Sequence, residues 1–586
     1  MSFASPTVKG APAAAGLAFL TAAFWVLRGY VWPTLSNVEV GPLQALLDPT
    51  LFREDFVVRE ALRFSPRFFY NELIALPCRV GFPLAWSFAL WHLAALAALV
   101  SAVRSAATAL RLEPVAAALL LVWLLVVNVG TLGGVYFYTH APVPAVWAGA
   151  VAAWGGAFAC FGAAALLQFL VGFYAGLLAL PLLWHAPSRA RLLALAPWVA
   201  GLALVYVPFT LSGLADTGAL SNDAFVEIYA YLRHPHHLVP STWPWSLWQR
   251  TGLFYLGAWY LLHRTSAGRP ALERTVLHFA LALAALTLAA NWLFVEIVPS
   301  SLVTKLQPAR VTPLVQVVVL ALLATRVASF LARRHWLLAA AVAVAPFSLF
   351  PGLVLALAGV LSPALLAPSA PRWPLWLLGA ATVVAFRPFG GDFDYHAARH
   401  APWLGLWLVA CLPAWLATRP ATLCTAAAVA VGLALTAASA PDRLPLGLSR
   451  RFAPNQPPLD APGRLGARFR AHSTPNAVVL AAPSDEMWSF KLHARRALVV
   501  DDKNIAFTAA GLREWRDRFT HILGVPFVPG VDPGAAWRAQ PPNQLLAIAR
   551  HYGATHLVDR FDWHATPPGH LIDREGDWGL WALPPP

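Results

Sequence analysis

Long apolar runs alternate with short polar loops from about residue 11 to about residue 440. Runs such as LLLVWLLVVNVG, LVQVVVLALLAT and LLGAATVVAF reach or approach the roughly 20 apolar residues that a helix needs to cross a hydrocarbon core about 30 Å thick. After Pro441 the pattern becomes that of a water-soluble domain. The chain is therefore predicted to be mainly α, a polytopic membrane helix bundle that carries a small C-terminal α/β domain.

The apolar runs also predict where the individual spans lie. Crossings are expected near residues 12–33, 83–103, 114–133, 192–211, 251–263, 274–295, 309–325, 336–350, 352–367, 374–388, 402–418 and 421–439. The stretch 143–185 is broken by glycines and is too long for one helix but short for three, so we expect a full span with re-entrant or kinked pieces. The total is about 11–14 spans.

Three domains follow from this pattern: a transmembrane domain at 1–440, a Pro-rich linker at 441–465 and a soluble α/β domain at 466–586. Short arginine-bearing loops are expected on the cytoplasmic side of the membrane. If the stretch between residues 143 and 185 crosses an odd number of times, the long polar loops 34–82 and 212–250 and the soluble domain lie outside. An even number of crossings reverses everything beyond that stretch.

The composition excludes a water-soluble protein. Hydrophobic residues make up 58% of the chain and charged residues only 12%, whereas soluble domains carry about 25% charged residues. The net charge of +14 comes almost wholly from arginine. Such a charge suits anionic lipid headgroups or a phosphorylated substrate, and it fits an Ala-, Pro- and Arg-rich coding bias equally well. The four cysteines show neither zinc spacing nor a disulfide framework.

Loop 34–82 carries acidic residues close to the expected membrane surface, at Glu39, Asp48, Glu54 and Asp55. A carboxylate held there beside basic groups could act as a general base on an acceptor hydroxyl, or could bind a divalent metal. The alternative is that Asp48 starts a turn before Pro49 and that Asp55 pairs with Arg59 on a solvated face.

Three arginines follow at four-residue spacing in the same loop, Arg59, Arg63 and Arg67, with apolar residues between them. This pattern predicts a helix in the headgroup plane, basic on one side and apolar on the other, with a kink at Pro66.

Loop 212–250 contains the sequence YLRHPHHLVPSTWPW, in which Arg233 is followed by His234, His236 and His237. The prolines predict an irregular segment. Arginine with histidine can hold a phosphate, and imidazoles two residues apart can share a metal. A third interpretation is an interfacial loop whose histidines bind backbone groups and whose tryptophans form an aromatic belt. Acidic residues that could complete a site lie upstream, at Asp216, Asp223 and Glu227.

Lys305 and Arg310 stand where the chain re-enters the membrane, between prolines, in VPSSLVTKLQPARVTPLV. A charge pushed to the bilayer centre costs about 2.5–3.5 kcal/mol. These two side chains are therefore expected either to extend to the headgroups or to face a polar cavity.

The C-terminal domain alternates predicted strands at 477–483, 497–502 and 555–560 with the helical segments GLREWRDRFTHIL and NQLLAIARHYG. Alternation of this kind predicts a parallel sheet. Neither GxGxxG nor GxxxxGK[ST] occurs, so a nucleotide-binding role has no motif support, and no nucleic-acid partner is expected. Candidate ligand contacts at presumed strand ends are Asp485, Lys491, Asp501, Asp502 and Lys503.

The layout resembles the GT-C superfamily of membrane glycosyltransferases: a charged loop after the first helix, many spans and a soluble C-terminal domain. The motifs LLDPTLFREDF, YLRHPHHLVPS, LQPAR, RRALVVDDKNIAF and LAIARHYGATHLV resemble those of uncharacterised bacterial GT-C-like proteins. The resemblance implies a multi-pass protein of the bacterial inner membrane whose C-terminal domain lies outside the cytoplasm.

In GT-C enzymes an early loop acid serves as base or metal ligand, and basic residues at the membrane surface hold the lipid phosphate. The resemblance thus makes Glu39, Asp48 and Asp55 candidates for the first role. Candidates for substrate binding are Arg233, His234, His236, His237, Lys305 and Arg310. The implied partners are membrane lipids and a polyprenyl-phosphate-linked sugar, and the candidate cofactor is a divalent metal, Mg or Mn.

The resulting hypothesis is transfer of a sugar from a polyprenyl-phosphate donor to a cell-envelope acceptor. Alternatives are a non-catalytic scaffold for envelope-polysaccharide assembly and a transporter or flippase of lipid-linked substrates. The hypothesis predicts that Asp48 or Asp55 lies within about 10 Å, roughly one Debye length in dilute salt, of Arg233, Lys305 or Arg310. It also predicts that Asp55→Asn abolishes transfer without disturbing folding.

Overall fold

The computed structural model describes residues 30–31, 37–110, 112–127, 130–133, 158–184, 187–214, 220–265, 271–348, 350–366, 373–386, 452–453, 458, 460–502, 504, 506–564 and 566–585. These residues are mainly helical, and the larger of two sheets belongs to the C-terminal domain. This confirms the predicted fold class. The predicted spans near 402–418 and 421–439 lie outside the described residues, as does nearly all of the span near 12–33.

Apolar α-helices make up the N-terminal part. Their bounds are Asn37–Leu47, Phe56–Leu62, Phe68–Arg79, Leu84–Ala109, Pro114–Val126, Phe158–Leu167, Phe169–Ala179, Ser188–Leu214, Asn222–Val226, Pro235–Leu238, Trp245–Arg264, Ala271–Trp292, Ser301–Leu306, Thr312–Ala332, Trp336–Val344, Pro351–Leu365 and Trp373–Phe386. Two π-helical segments, Glu227–Arg233 and Leu293–Ile297, extend the helices before them.

Four of the described helical segments are long and apolar enough to cross a membrane: Leu84–Ala109, Ser188–Leu211, Ala271–Ile297 and Ser301–Ala332. They coincide with the spans predicted near 83–103, 192–211, 274–295 and 309–325. Shorter apolar helices occupy several other predicted positions. Beyond Phe158, the stretch predicted to be kinked forms two helices, which are separated at the extended residue Gln168.

Glycines allow some of these helices to pack backbone against backbone. Helices Trp245–Arg264 and Pro351–Leu365 cross where Gly257 faces Gly352, and a Cβ added at Gly257 would lie 2.3 Å from the Gly352 carbonyl oxygen. Small residues at such crossings gain van der Waals contact, which supplies much of the attraction between helices in a bilayer.

The C-terminal domain contains a five-stranded sheet with helices on both faces. The sheet order is Ala497–Leu498, Val478–Ala481, His556–Arg560, Trp578–Ala582 and His570–Glu575. The first three strands are parallel, as predicted, and the last two form an antiparallel hairpin. The hairpin was not predicted, although Gly576 at φ +58° marks its turn. The helices are Ala461–His472, Met487–Ala494, Ala509–Leu523, Pro533–Arg538 and Pro542–His551.

This domain packs directly on the two long polar loops. Phe56 of loop 34–82 and Ile228 of loop 212–250 belong to the same buried apolar cluster as Leu480, Trp515 and Leu557 of the domain. A short parallel pairing of Tyr30–Val31 with Phe452–Ala453 joins the two parts of the chain again. The loops and the domain therefore share one core, which fixes their side chains relative to one another.

Candidate functional site

Arg67 and Glu39 form an ion pair within loop 34–82. Helix Phe56–Leu62 ends before Arg67, which stands at the start of helix Phe68–Arg79. Arg67 Nη1 lies 3.1 Å from Glu39 Oε1, and the guanidinium lies 5.7 Å from the Phe507 ring centroid. Arg67 thus faces the C-terminal domain. The predicted kink at Pro66 is a full break in the structure, where Phe56–Leu62 and Phe68–Arg79 form separate helices.

Glu39 is a buried carboxylate with one oxygen unoccupied. Its exposed fraction is 4%, and Oε2 has no hydrogen-bond partner among the described residues. Burial raises the pKa of this carboxyl, and the positive charge of Arg67 offsets part of that effect. A side chain of this kind is poised to receive a proton or a hydrogen bond from a ligand.

Tyr229 lies where three arginines converge. Burial raises the pKa of its hydroxyl, and the charges of Arg310, Arg67 and Arg233 oppose that rise. Gln307 Nε2 donates a hydrogen bond of 2.9 Å to the Tyr229 hydroxyl, and Arg310 Nε donates to Gln307 Oε1. We call Arg67, Arg233 and Arg310 the basic cluster.

Arg233 ends the π-helical segment Glu227–Arg233, and its buried Nε has no hydrogen-bond partner within the described ranges. Burial lowers the pKa of Arg233. The negative charges of Asp502 and Asp501 offset part of this effect, and the positive charge of Arg67 adds to it. Guanidinium groups match phosphate oxygens in geometry and charge. Three of them converging beside a neutral amide and a phenol therefore form a site for an oxyanion.

Neutral imidazoles line the basic cluster. Burial, followed by the charge of Arg233, lowers the pKa of His234 well below its ordinary value; burial and Arg310 do the same for His237. The Nδ1–H groups of His234 and His237 donate to the carbonyl oxygens of Tyr229 and Gly133. Each Nε2 is then a hydrogen-bond acceptor in the neutral ring. His236 is exposed, with its ring beside that of His237.

Asp502, one of a pair of carboxyl groups on the C-terminal domain, interacts electrostatically with Arg233. Asp502 follows strand Ala497–Leu498, hydrogen-bonds to Asp485, and accepts from Trp488 Nε1. Burial and the neighbouring Asp485 raise the pKa of Asp502 to about 8. Asp502 is therefore protonated at neutral pH and hydrogen-bonded to Asp485. Asp485 and Asp502 were expected at strand ends, and this is where the structure places them.

Asp55 has a different environment. Its Oδ1 accepts from the Val58 N–H at 3.0 Å and caps helix Phe56–Leu62, while Oδ2 accepts from the Leu498 N–H at 3.2 Å. Lys491 Nζ lies 2.8 Å from Asp55 Oδ2 and 3.0 Å from Asp501 Oδ2. We call these three charged residues, Asp55, Lys491 and Asp501, the interlock. Its contacts engage both Asp55 oxygens, and the expected pairing with exposed Arg59 is not what the structure shows.

Two other candidates are exposed and make different contacts. Asp48 is exposed, and its Oδ1 accepts from the N–H and the hydroxyl of Thr50, as in the predicted turn. These hydrogen bonds lower the pKa of Asp48. Lys305 is exposed and lies over the Phe225 ring, 4.9 Å from its centroid. The structure thus brings Glu39, Arg233, Arg310, His234 and His237 together through Tyr229 and Arg67.

The described residues do not fit a divalent metal. No group of three or more His, Cys, Asp or Glu side chains in these ranges could hold one. Glu39 is paired with an arginine, and His234 and His237 use Nδ1 on backbone carbonyls. Asp216 lies outside the described ranges.

Sequence reasoning did not single out Arg67, Tyr229 and Gln307 as site residues. Gln307 adopts a left-handed conformation, φ +44°, which ends helix Ser301–Leu306 and directs the chain into the turn carrying Arg310. A usable signal was the pair of prolines at 66 and 308, since each breaks a helix next to a residue of the site.

Comparison with known proteins gives three findings. Residues 463–522 match the family model described as Domain of unknown function (DUF6798). This segment includes Lys491, Asp501, Asp502 and Phe507, the residues that meet the two long loops. No curated protein matches the chain.

Two solved structures match over nearly the whole length. The crystal structure of ArnT from Cupriavidus metallidurans in the apo state has 17% identity and a TM-score of 0.41, and covers 98% of this chain and 100% of its own. The structure of ArnT from the same organism bound to undecaprenyl phosphate has 16% identity and a TM-score of 0.42, and covers 99% and 100%. At these identities and TM-scores, no residue role or activity is transferred to this chain.

Proposed function

We propose that this protein binds a polyprenyl-phosphate-linked sugar through the basic cluster and transfers the sugar to a cell-envelope acceptor. The observation that carries the proposal is the convergence of Arg67, Arg233 and Arg310 on Tyr229, next to the unoccupied oxygen of Glu39. Holding three half-buried guanidinium groups close together is costly without an anion, because their like charges repel and burial disfavours the charge on Arg233. A phosphate ligand would offset that cost.

The site lies at a membrane boundary. Arg310 directly precedes helix Thr312–Ala332, which is part of an apolar segment long enough to cross a bilayer. A phosphate attached to a polyprenyl chain has its charge at this level while its tail remains in hydrocarbon. The shared core of the loops and the C-terminal domain lies on the other side of the site. We expect the acceptor to approach from that side.

In the transfer step, an acceptor hydroxyl attacks the anomeric carbon of the lipid-linked sugar. The bond from that carbon to the phosphate oxygen breaks, and polyprenyl phosphate leaves with one additional negative charge. The basic cluster stabilises this charge as it develops. Glu39 Oε2 receives the acceptor proton.

A non-catalytic scaffold is the second candidate function. It is favoured by the interlock, which occupies Asp55, and by the pairing of Glu39 with Arg67. A scaffold would use the same basic cluster to hold a lipid phosphate without turnover. Binding and release of polyprenyl phosphate must therefore be measured separately.

The test uses the purified full-length chain with a panel of radiolabelled polyprenyl-phosphate sugars, with and without divalent metal. We expect binding to weaken at least about tenfold in Arg310→Gln and in Arg67→Gln, since each loses a charge-assisted contact worth about 1.5–3 kcal/mol. Arg59→Gln, an exposed neighbour in loop 34–82, is the matched control and should bind normally.

Release of free polyprenyl phosphate would support the enzyme, and binding without release would support the scaffold. Equal binding by Arg310→Gln and Arg59→Gln would remove the basic cluster from the site. We also propose that the protein lies in the bacterial inner membrane with its C-terminal domain outside the cytoplasm. Protease added to intact spheroplasts should then cleave that domain, and protection would contradict this orientation.

A further inference from the structure

A second charged site lies near the far end of the helix that follows Arg310. Arg326 stands 16 residues after Arg310, in helix Thr312–Ala332. At 1.5 Å per residue the two arginines are about 24 Å apart along the axis, close to the hydrocarbon thickness of about 30 Å. The neighbouring helix Ala271–Trp292 runs alongside, with Glu273 near Arg326 and Asn291 bonded to Leu238 of loop 212–250.

Arg326 is buried inside a span. Its exposed fraction is 3%, and Nη2 lies 3.4 Å from Glu273 Oε2. That separation is longer than the roughly 2.7–2.9 Å of a strong charge-assisted hydrogen bond. Ionisable residues within spans are rare and usually face a polar cavity. The Arg326–Glu273 contact is thus one part of a polar site at this end of the bundle.

A cavity opens next to Arg326. Its charged and titratable lining comprises His263, Glu273, Arg274, His278 and Arg326, and its wall is completed by leucines at 262, 277 and 322. Two arginines against one glutamate leave a formal excess of +1 with the histidines neutral. The cavity also adjoins the first turn of helix Ala271–Trp292, whose positive dipole end favours an anion.

The surroundings indicate a lipid. Leu272, next to Glu273 in the chain, is 46% exposed, and Leu286 on the same helix is 68% exposed. Side chains of this type face acyl chains in a membrane protein. A headgroup phosphate in the cavity would therefore have its own acyl chains on an apolar surface beside it.

We propose that the cavity between Arg274 and Arg326 binds the phosphate of an anionic phospholipid, in the leaflet opposite to the basic cluster. The ligand is recognised by its phosphodiester and net negative charge, with Arg274 at the cavity mouth and Arg326 beneath it. The site is separate from the proposed transfer reaction, so its failure would leave the proposed function unchanged.

Native mass spectrometry of the delipidated full-length protein, titrated with phosphatidylglycerol, phosphatidylcholine or inorganic phosphate, tests this inference. Arg274→Gln should weaken phosphatidylglycerol binding about fivefold, since one arginine near a membrane surface contributes about 1 kcal/mol. Arg274 is exposed, so the variant should fold, and its melting temperature checks this.

The matched control is Arg264→Gln. Arg264 is exposed at the end of the preceding helix and is not part of the cavity lining. The Arg264→Gln substitution removes one positive charge from the same end of the bundle. Phosphatidylglycerol should bind this variant as it binds the unaltered protein. Equal losses in both variants would show general surface attraction and overturn the site. Equal binding of phosphatidylcholine, or displacement of the lipid by millimolar phosphate, would also overturn it.

Discussion

Lys491 Nζ lies 2.8 Å from Asp55 Oδ2 and joins the C-terminal domain to a loop that precedes it by most of the chain. The two side chains are only 6% and 1% exposed. Burial disfavours the charge on Lys491, but the carboxylates of Asp501 and Asp55 outweigh that effect and raise the pKa of the ammonium. The contact is therefore a buried ion pair, which water and salt screen little.

Lys491→Met should destabilise the protein strongly. It leaves Asp55 and Asp501 buried without their cation, a loss that typically costs about 3–5 kcal/mol. Thermal unfolding of the detergent-purified chain, followed by tryptophan fluorescence, measures the effect. Lys305→Met, which removes an exposed lysine, should change stability by no more than about 0.5 kcal/mol. Similar melting of both variants would show that the interlock does not stabilise the domain.

Asp55→Asn separates a positioning role from a catalytic one. Asparagine can still cap helix Phe56–Leu62, but it loses the charge that Lys491 needs. We expect stability and any transfer activity to fall together, and Asp55→Asn with Lys491→Met to cost less than the sum of the single changes. Loss of transfer with unchanged melting would instead support the catalytic role predicted from the sequence alone.

The sequence predicted the elements better than the contacts between them. Apolar runs give the spans directly, since composition and length decide whether a helix can cross a bilayer. The parallel strands of the C-terminal domain were likewise predicted from alternation. The hairpin His570–Ala582 was missed, although HLIDREGDWGLWA contains a glycine turn between two alternating runs.

The candidate site was only partly predictable. Arg233 and Arg310 were singled out by their position beside prolines in polar loops. Arg67 was assigned to a basic surface because its spacing from Arg59 and Arg63 is helical, but the helix ends at Leu62 and Arg67 pairs with Glu39. The interlock joins residues far apart in the chain, and periodicity carries no information on such pairs.

Glu39→Gln should reduce transfer while retaining binding of the lipid phosphate. The amide keeps the size of the side chain but cannot accept the acceptor proton, and loss of a general base typically costs about 10²–10⁴ in rate. Because burial raises the pKa of Glu39, the acidic limb of the rate profile should lie above that of an ordinary glutamate. Turnover measured across pH checks both statements. Undiminished turnover in this variant would assign the base to another residue.

Gly257→Ala should destabilise the helical bundle, because its Cβ would lie 2.3 Å from the Gly352 carbonyl oxygen and must push two backbones apart. Gly252 is the matched control on the same helix, since a Cβ there meets nothing within 4 Å. Alanine favours a helix over glycine by up to about 1 kcal/mol, so Gly252→Ala should be neutral or stabilising. Melting temperatures in detergent compare the two, and equal values would contradict close packing at Gly257.

Asp502 should make the protein less stable as pH rises toward 8. An aspartate in the unfolded chain loses its proton near pH 4, whereas the pKa of Asp502 in the folded protein is raised to about 8. Between these values the folded state holds a proton that the unfolded state has released. Stability therefore falls with increasing pH and levels off above about pH 8.

The interval between about pH 7 and about pH 8 isolates this effect. His234 and His237 have lowered pKa values, so their contribution changes below the unfolded histidine pKa of about 6.5. Across the interval, Asp502→Asn should flatten the dependence of melting temperature on pH. Asp562→Asn, an exposed change in the same domain, should retain the slope. A slope that persists in Asp502→Asn would mean that Asp502 is not the group that holds the additional proton in the folded protein.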